Sequence, residues 1–261
     1  MVSLTMKTRN ILFIVEGETD EPDFLNKMFQ VCFEKYQFQC WAYRTSLHDL
    51  VCDLYPDGNF DPDIDILLHL RSKARDEEER KILSETMHYT DIFLIFDFEP
   101  HYSHLEWKRI REMLEYYRHS DDEGKLLLNY PMMQSYKHLL KLPDDGFRDR
   151  TISVYEASNY KRLVNEESAY PHLSRYTYPV WMSICAHHLK KMNYILFGQY
   201  SIPDIETYMA FDQVSLFDIE CEKHLTQNEI DVVNTAITLI LEYEPVRTLE
   251  EYHRHSDRYE L

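Results

Sequence analysis

Through the first half of the chain, unbroken apolar runs alternate with stretches in which apolar positions recur every three or four residues. Residues 10–15 (NILFIV) predict a buried strand, and after a turn at Gly17 the positions Phe24, Leu25, Met28, Phe29 and Cys32 share one helical face. Asp20 is placed to cap that helix, with Pro22 in its first turn. FQCWAY (38–43) predicts a second strand, followed by helical segments near 45–55 and 63–87; the charged part of the latter, RSKARDEEERK, reads as a solvated helix face. DIFLIFD (91–97) predicts a third strand, LEWKRIREMLEYYR a helix, KLLLNY (125–130) a fourth strand and MMQSYKHLL another helix. Strands alternating with helices predict an α/β fold built on a parallel sheet.

The polar turn KLPDDGFRDR (141–150) predicts a boundary, dividing the chain into residues 1–145 and a mainly helical region, 146–261. In the second part helices are expected near 159–167, 177–196 and 226–243, the last opened by a capping box of Thr226 and Glu229 ahead of IDVVNTAITLILEY. Whether these helices pack on the sheet or form a separate lobe is left open by the pattern.

Both central apolar runs end in acid. Glu16 follows the first strand at once, and Asp97 and Glu99 close the third. Functional groups of an open parallel sheet gather at the carboxyl ends of its strands. If the two strands are neighbours, three carboxylates meet at one edge and repel one another unless a cation lies between them, and hard divalent ions such as Mg2+ prefer oxygen ligands. Alternation along an extended chain points Asp97 and Glu99 the same way while Phe98 turns to the core. Gly17 permits a sharp turn and the close approach of a phosphate.

Composition narrows the classes. The chain has 261 residues, 44% hydrophobic, enough for a substantial core. Its net charge of −18, from 46 acidic and 28 basic residues, excludes an unaided nucleic-acid clamp, so such work requires metal ions, a local basic patch or a basic partner. The one local basic candidate near the acids is WKRIR (107–111), with Lys108, Arg109 and Arg111. Five scattered cysteines without CxxC spacing argue against zinc and for packed thiols. His187 and His188 are adjacent on a helical pattern and so lack the i, i+4 spacing of a zinc pair; His101 and His104 read as loop residues near the acids. The tyrosines read mainly as packing residues, with RYTYPVW (175–181) a minor candidate for base stacking. No apolar segment approaches the ~20 residues of a membrane span, and MVSLTMKTRN lacks the core of a signal peptide, so a cytoplasmic address is expected. Walker A, GxGxxG and GxSxG motifs are absent.

VEGETDEPDF (15–24) and DIFLIFDFE (91–99) together resemble the TOPRIM domain of topoisomerases, primases and nucleases. That domain has a strand ending in Glu-Gly, an acidic helix start, and a later strand ending in two acids one residue apart. The form is most similar to the TOPRIM nucleases of bacterial defence systems, the OLD, RloB-like and abortive-infection groups, and spans residues 9–140. The resemblance implies a TOPRIM-like parallel sheet flanked by helices and an Mg2+- or Mn2+-dependent endonuclease acting on DNA or RNA, the toxic effector of an anti-phage system. It implies Glu16 as catalytic glutamate, a metal held by Glu16, Asp97 and Glu99, and Asp20 as ligand to a second ion. Lys137 would contact the scissile phosphate, and Gly17, Lys108 and Arg111 the substrate. Glu99 stands where the family has Asp, a longer arm that shifts the ion. A partner ATPase and a homodimer are the assemblies the resemblance suggests. The alternative is a catalytically weak TOPRIM-like subunit that acts by binding a partner ATPase, which the acidic charge and Glu99 favour.

Overall fold

The two apolar runs that end in acid lie side by side in one sheet, which is why both are buried on both faces. The computed structural model describes residues 9–33, 36–56, 58–61, 64–84, 88–98, 100–101, 103–121, 123–255 and 259. In chain order its elements are β1 (Asn10–Val15), α1 (Asp20–Cys32), β2 (Gln37–Ala42), α2 (Leu47–Leu54), α3 (Ile66–Arg71), α4 (Glu77–Ile82), β3 (Asp91–Asp97), α5 (His104–Tyr116), β4 (Arg118–His119) and β5 (Gly124–Asn129). There follow β6 (Thr151–Ser153), α6 (Val154–Ala157), α7 (Tyr160–Glu167), α8 (Tyr178–Phe197), α9 (Ile205–Met209), α10 (Gln213–Gln227), β7 (Glu229–Asp231) and α11 (Pro245–Arg254). The main sheet runs β2-β1-β3-β5-β4, parallel except for the short β4, and helices flank it; β6 and β7 pair separately. The protein is therefore α/β with a mostly parallel five-stranded sheet. No helix of the described residues is long and apolar enough to cross a membrane.

Register aligns the strand ends. Val15 lies opposite Ala42 on one side and Ile95 on the other, and Asp97 opposite Asn129. Phe13 stacks on Phe93 across β1 and β3 at 5.4 Å and meets Phe29 of α1 edge-on, fixing the first helix over the sheet centre. At the start of β5, Gly124 has φ +120°, and a Cβ there would lie 2.9 Å from Leu94 Cδ1. Gly124→Ala is expected to cost about 1–3 kcal/mol through backbone strain and this clash, read as a lower urea midpoint; an unchanged midpoint would contradict it.

Elements after residue 150 pack directly on the first part. α8 is buried nearly all round, its polar His187, His188, Lys191 and Asn193 included, and its Trp181 meets Phe24 of α1 and stacks on Tyr136. The expected boundary coincides with a 3-10 turn, Asp145–Asp149, whose Phe147 is fully buried against both His187 and His188. Those histidines are structural. His187 donates to the Ser183 carbonyl and accepts from Asp144 N–H at 2.9 Å; His188 donates to the Tyr136 carbonyl and accepts from Asn234 N–H at 3.0 Å. Burial holds both imidazoles below their usual range, His188 at about 3, so they stay neutral.

Local pattern fails at four places. The stretch 63–87 divides into α3 and α4, with Asp76 capping the second through Glu79 N–H. Asp20 is the first residue of α1 rather than its cap, which is Thr19 without a side-chain bond, because the Asp20 carboxylate is engaged elsewhere. The helix expected over 132–140 is a single 3-10 turn, Met133–Lys137. The helix expected over 226–243 does not form. α10 ends at Asn228 in the left-handed conformation, Thr226 Oγ1 bonds back to the Glu222 carbonyl, and residues 230–241 are buried. Their backbone groups find distant partners: Val233 exchanges two hydrogen bonds with Tyr130, Asn129 Oδ1 accepts from Thr235 and Ala236 N–H, and Thr235 Oγ1 donates to the Leu128 carbonyl. The segment is thereby stitched to the end of β5, and only its last part, Ala236–Leu241, is a 3-10 turn.

A buried ionic cluster joins α8, α10 and β7. Lys191, fully buried, reaches Asp231 at 3.1 Å and the Arg150 carbonyl; Lys223 reaches the other Asp231 oxygen at 2.6 Å, and Glu220 accepts Asp231 N–H at 3.0 Å. Burial, and then the Asp231 charge, push the Glu220 carboxyl up from 4.5 to about 8. Between those values the folded chain holds a proton that the unfolded chain has released. Stability therefore falls as pH rises through this window, by up to ~1.4 kcal/mol per pH unit. Glu220→Gln keeps an oxygen for Asp231 N–H and is expected to flatten that slope, measured by urea unfolding across the window; parallel slopes in both proteins would refute the assignment.

Candidate active site at the carboxyl edge of the sheet

The carboxyl ends of β2, β1, β3 and β5 present Arg44, Glu16, Asp97 and Asn129 along one edge. Glu16 continues the ladder both ways, donating to the Ile95 carbonyl at 3.2 Å and accepting from Arg44 N–H at 2.8 Å. Its carboxylate then turns across the edge, where Oε2 accepts the Asp97 N–H at 3.1 Å. Asp97 Oδ1 accepts the Met133 N–H at 2.7 Å, so the 3-10 turn after β5 orients the second acid. Phe98 is buried against Tyr130, turned inward. Glu99, expected to complete the set, lies outside the described residues.

The next residue of the same turn, Gln134, donates Nε2 to Asp20 Oδ2 at 2.5 Å, and Lys161 of α7 pairs with that same oxygen. Glu16, Asp97 and Asp20 are thus connected through backbone groups and one turn of residues 133–134. Among the described residues, however, no three His, Cys, Asp or Glu side chains converge as a set that could hold one ion. Glu16 and Asp97 form a pair, with Asp20 to one side.

Beside Asp20 opens a cleft of about 290 Å³ lined by Gln134, Lys137, His172 and Ser174 among others. Lys137 is half-buried there, its Nζ on Asn165 Oδ1 at 2.9 Å and the Pro171 carbonyl at 3.4 Å, and desolvation lowers its pKa. A larger cavity of about 680 Å³ sits at the amino ends of β3 and β5, away from the acids. In it Arg9 pairs with Asp91 at 3.0 Å, Arg118 with Asp212 at 2.7 Å and Lys125 with Glu242 at 2.8 Å, and the smaller cleft is the one beside Asp20.

The space next to Gly17 belongs to Glu21, whose Oε2 lies 2.7 Å from where a Cβ would be. Glu21 is 6% exposed, and burial raises its pKa. Sequence reading passed over this residue, although its i+4 and i+7 relation to Leu25 and Met28 places it on the buried face. It also passed over Arg44, held in the left-handed conformation at φ 71° with its guanidinium on Glu18 and Glu79, and over Lys161, which no local pattern connects to Asp20. The basic strip of α5 is offset by acids. Lys108 is 3.7 Å from Glu112, and Arg111 pairs with Glu115 at 2.6 Å and Asp218 at 2.9 Å, while Arg109 lies over the Tyr55 ring. His101 is exposed.

Two carboxylates fixed on neighbouring strand ends suit Mg2+ or Mn2+. Mg2+ in particular keeps several waters and commonly takes only one or two protein carboxylates plus substrate phosphate. Each acid is oriented by a backbone N–H at one oxygen, which fixes where the pair stands. No protein-family model matches the chain, and neither a curated protein nor a solved structure is similar to it at a significant level.

Proposed function

We propose that this chain is a TOPRIM-like, divalent-metal-dependent nuclease, cleaving phosphodiester bonds of DNA or RNA at the edge formed by Glu16 and Asp97. The observation that carries the reading is the seating of the Glu16 carboxylate on the Asp97 backbone at the carboxyl ends of adjacent parallel strands. When bound there, Mg2+ or Mn2+ supplies Lewis-acid polarisation of the phosphate and neutralises developing charge. Glu16 and Asp97 would hold the ion, with Glu99, outside the described residues, as the further ligand that the resemblance implies; Glu16 would also orient the attacking water and take its proton, and Lys137 would face the phosphate from the cleft. In keeping with the resemblance of VEGETDEPDF to defence nucleases, the biological role we infer is that of a toxic effector, restrained by a partner ATPase.

The charge of −18 and the acid-paired strip on α5 favour a second reading, a weakly catalytic TOPRIM-like subunit that binds a partner instead of cutting. Incubating the chain with total RNA and with plasmid DNA, with and without Mn2+, and following its melting with Mn2+ separates the two. Mn2+-dependent cleavage with a raised Tm supports the nuclease; a raised Tm without cleavage supports the subunit; neither effect defeats the metal site.

A further inference from the structure

We propose that the Lys161 ammonium occupies the position of a second cation at Asp20, so that the edge takes one divalent ion, at Glu16 and Asp97, and not two. This rests on the reading of that edge as a metal site and specifies its stoichiometry.

Asp20 stands at the first residue of α1, two hydrogen bonds from Asp97 by way of the Met133–Gln134 step. Its Oδ2 takes both Gln134 Nε2 and the Lys161 ammonium. Lys161 arrives from α7, 141 residues along the chain, and docks on this acid although 59% of its side chain is exposed. Fixing a flexible surface lysine costs rotamer entropy, which the Asp20 charge has to offset.

An independent feature shows that the place suits a cation. Gln134 is 6% exposed and lines the cleft with Asp20, and its Oε1, though buried, has no hydrogen-bond partner among the described residues. A buried acceptor without a donor costs about 1–3 kcal/mol. Gln134 Nε2 already holds the Asp20 carboxylate, and carboxylate and amide oxygens are the donor type that Mg2+ and Mn2+ select. The chain has placed its own monovalent cation against the carboxylate.

The test is Mn2+ stoichiometry of the full chain by electron paramagnetic resonance titration, with circular dichroism confirming the fold of each variant. Wild type is expected to bind one ion, Lys161→Met two, and Lys161→Met combined with Asp20→Asn one again; Lys161→Gln serves as a second neutral variant. Two ions in wild type, one ion in both Lys161 variants, or a second ion that survives Asp20→Asn overturns the role given to Lys161 and leaves the Glu16–Asp97 site standing. Absence of Mn2+ binding in every protein removes the metal reading itself, and this inference with it.

Discussion

Glu16→Gln is expected to lower Mn2+-dependent cleavage by at least ~100-fold, the lower bound of what a positioned general base contributes, while leaving the melting temperature of the metal-free chain within a few degrees of wild type. Gln is nearly isosteric with Glu, and its Oε1 still accepts the Asp97 N–H, so the junction of β1 and β3 is kept. On the proposed reading, what is lost is the proton acceptor and one negative charge toward the ion. The measurement is a single-turnover cleavage rate beside a thermal melt with and without Mn2+. Wild-type cleavage would reduce Glu16 to a turn residue, and a shared loss of Tm would show that it serves the fold.

Lys191→Met is expected to be the most damaging single change to stability, costing about 3–5 kcal/mol, the range for breaking a buried ion pair by removal of one partner. Met fills a similar volume, so the loss reports charge and hydrogen bonding more than a cavity. Asp231 keeps Lys223 but loses the partner on its other oxygen, and the Arg150 carbonyl loses its donor. Urea unfolding of wild type and variant at one pH checks the cost; a loss below about 1 kcal/mol, typical of an exposed pair, would show the cluster to be weakly coupled to the fold.

Strands β1, β3 and β5 were legible because a strand buried on both faces must be apolar without interruption, and a run such as NILFIV has few other uses. The position of Glu16 and Asp97 at strand ends followed from the same runs, since each acid marks the residue where burial stops. Amphipathic spacing similarly marked α1, α5 and α7. The segment 229–241 was misread for a physical reason. Its apolar residues satisfy helical spacing, but its backbone donors and acceptors are claimed by Tyr130, Asn129 and Leu128, about a hundred residues earlier, and a left-handed Asn228 ends the helix before it. Asp20 was misread as a cap because local spacing contains neither Gln134 nor Lys161. Sequence by itself determined which residues are buried in strands and which acids stand at their ends, since those follow from local hydrophobic pattern. Strand order, the bond from Asp97 to Glu16, and the cations that meet each carboxylate were decided only by tertiary structure, because they depend on contacts between residues tens to more than a hundred positions apart, which no local period encodes.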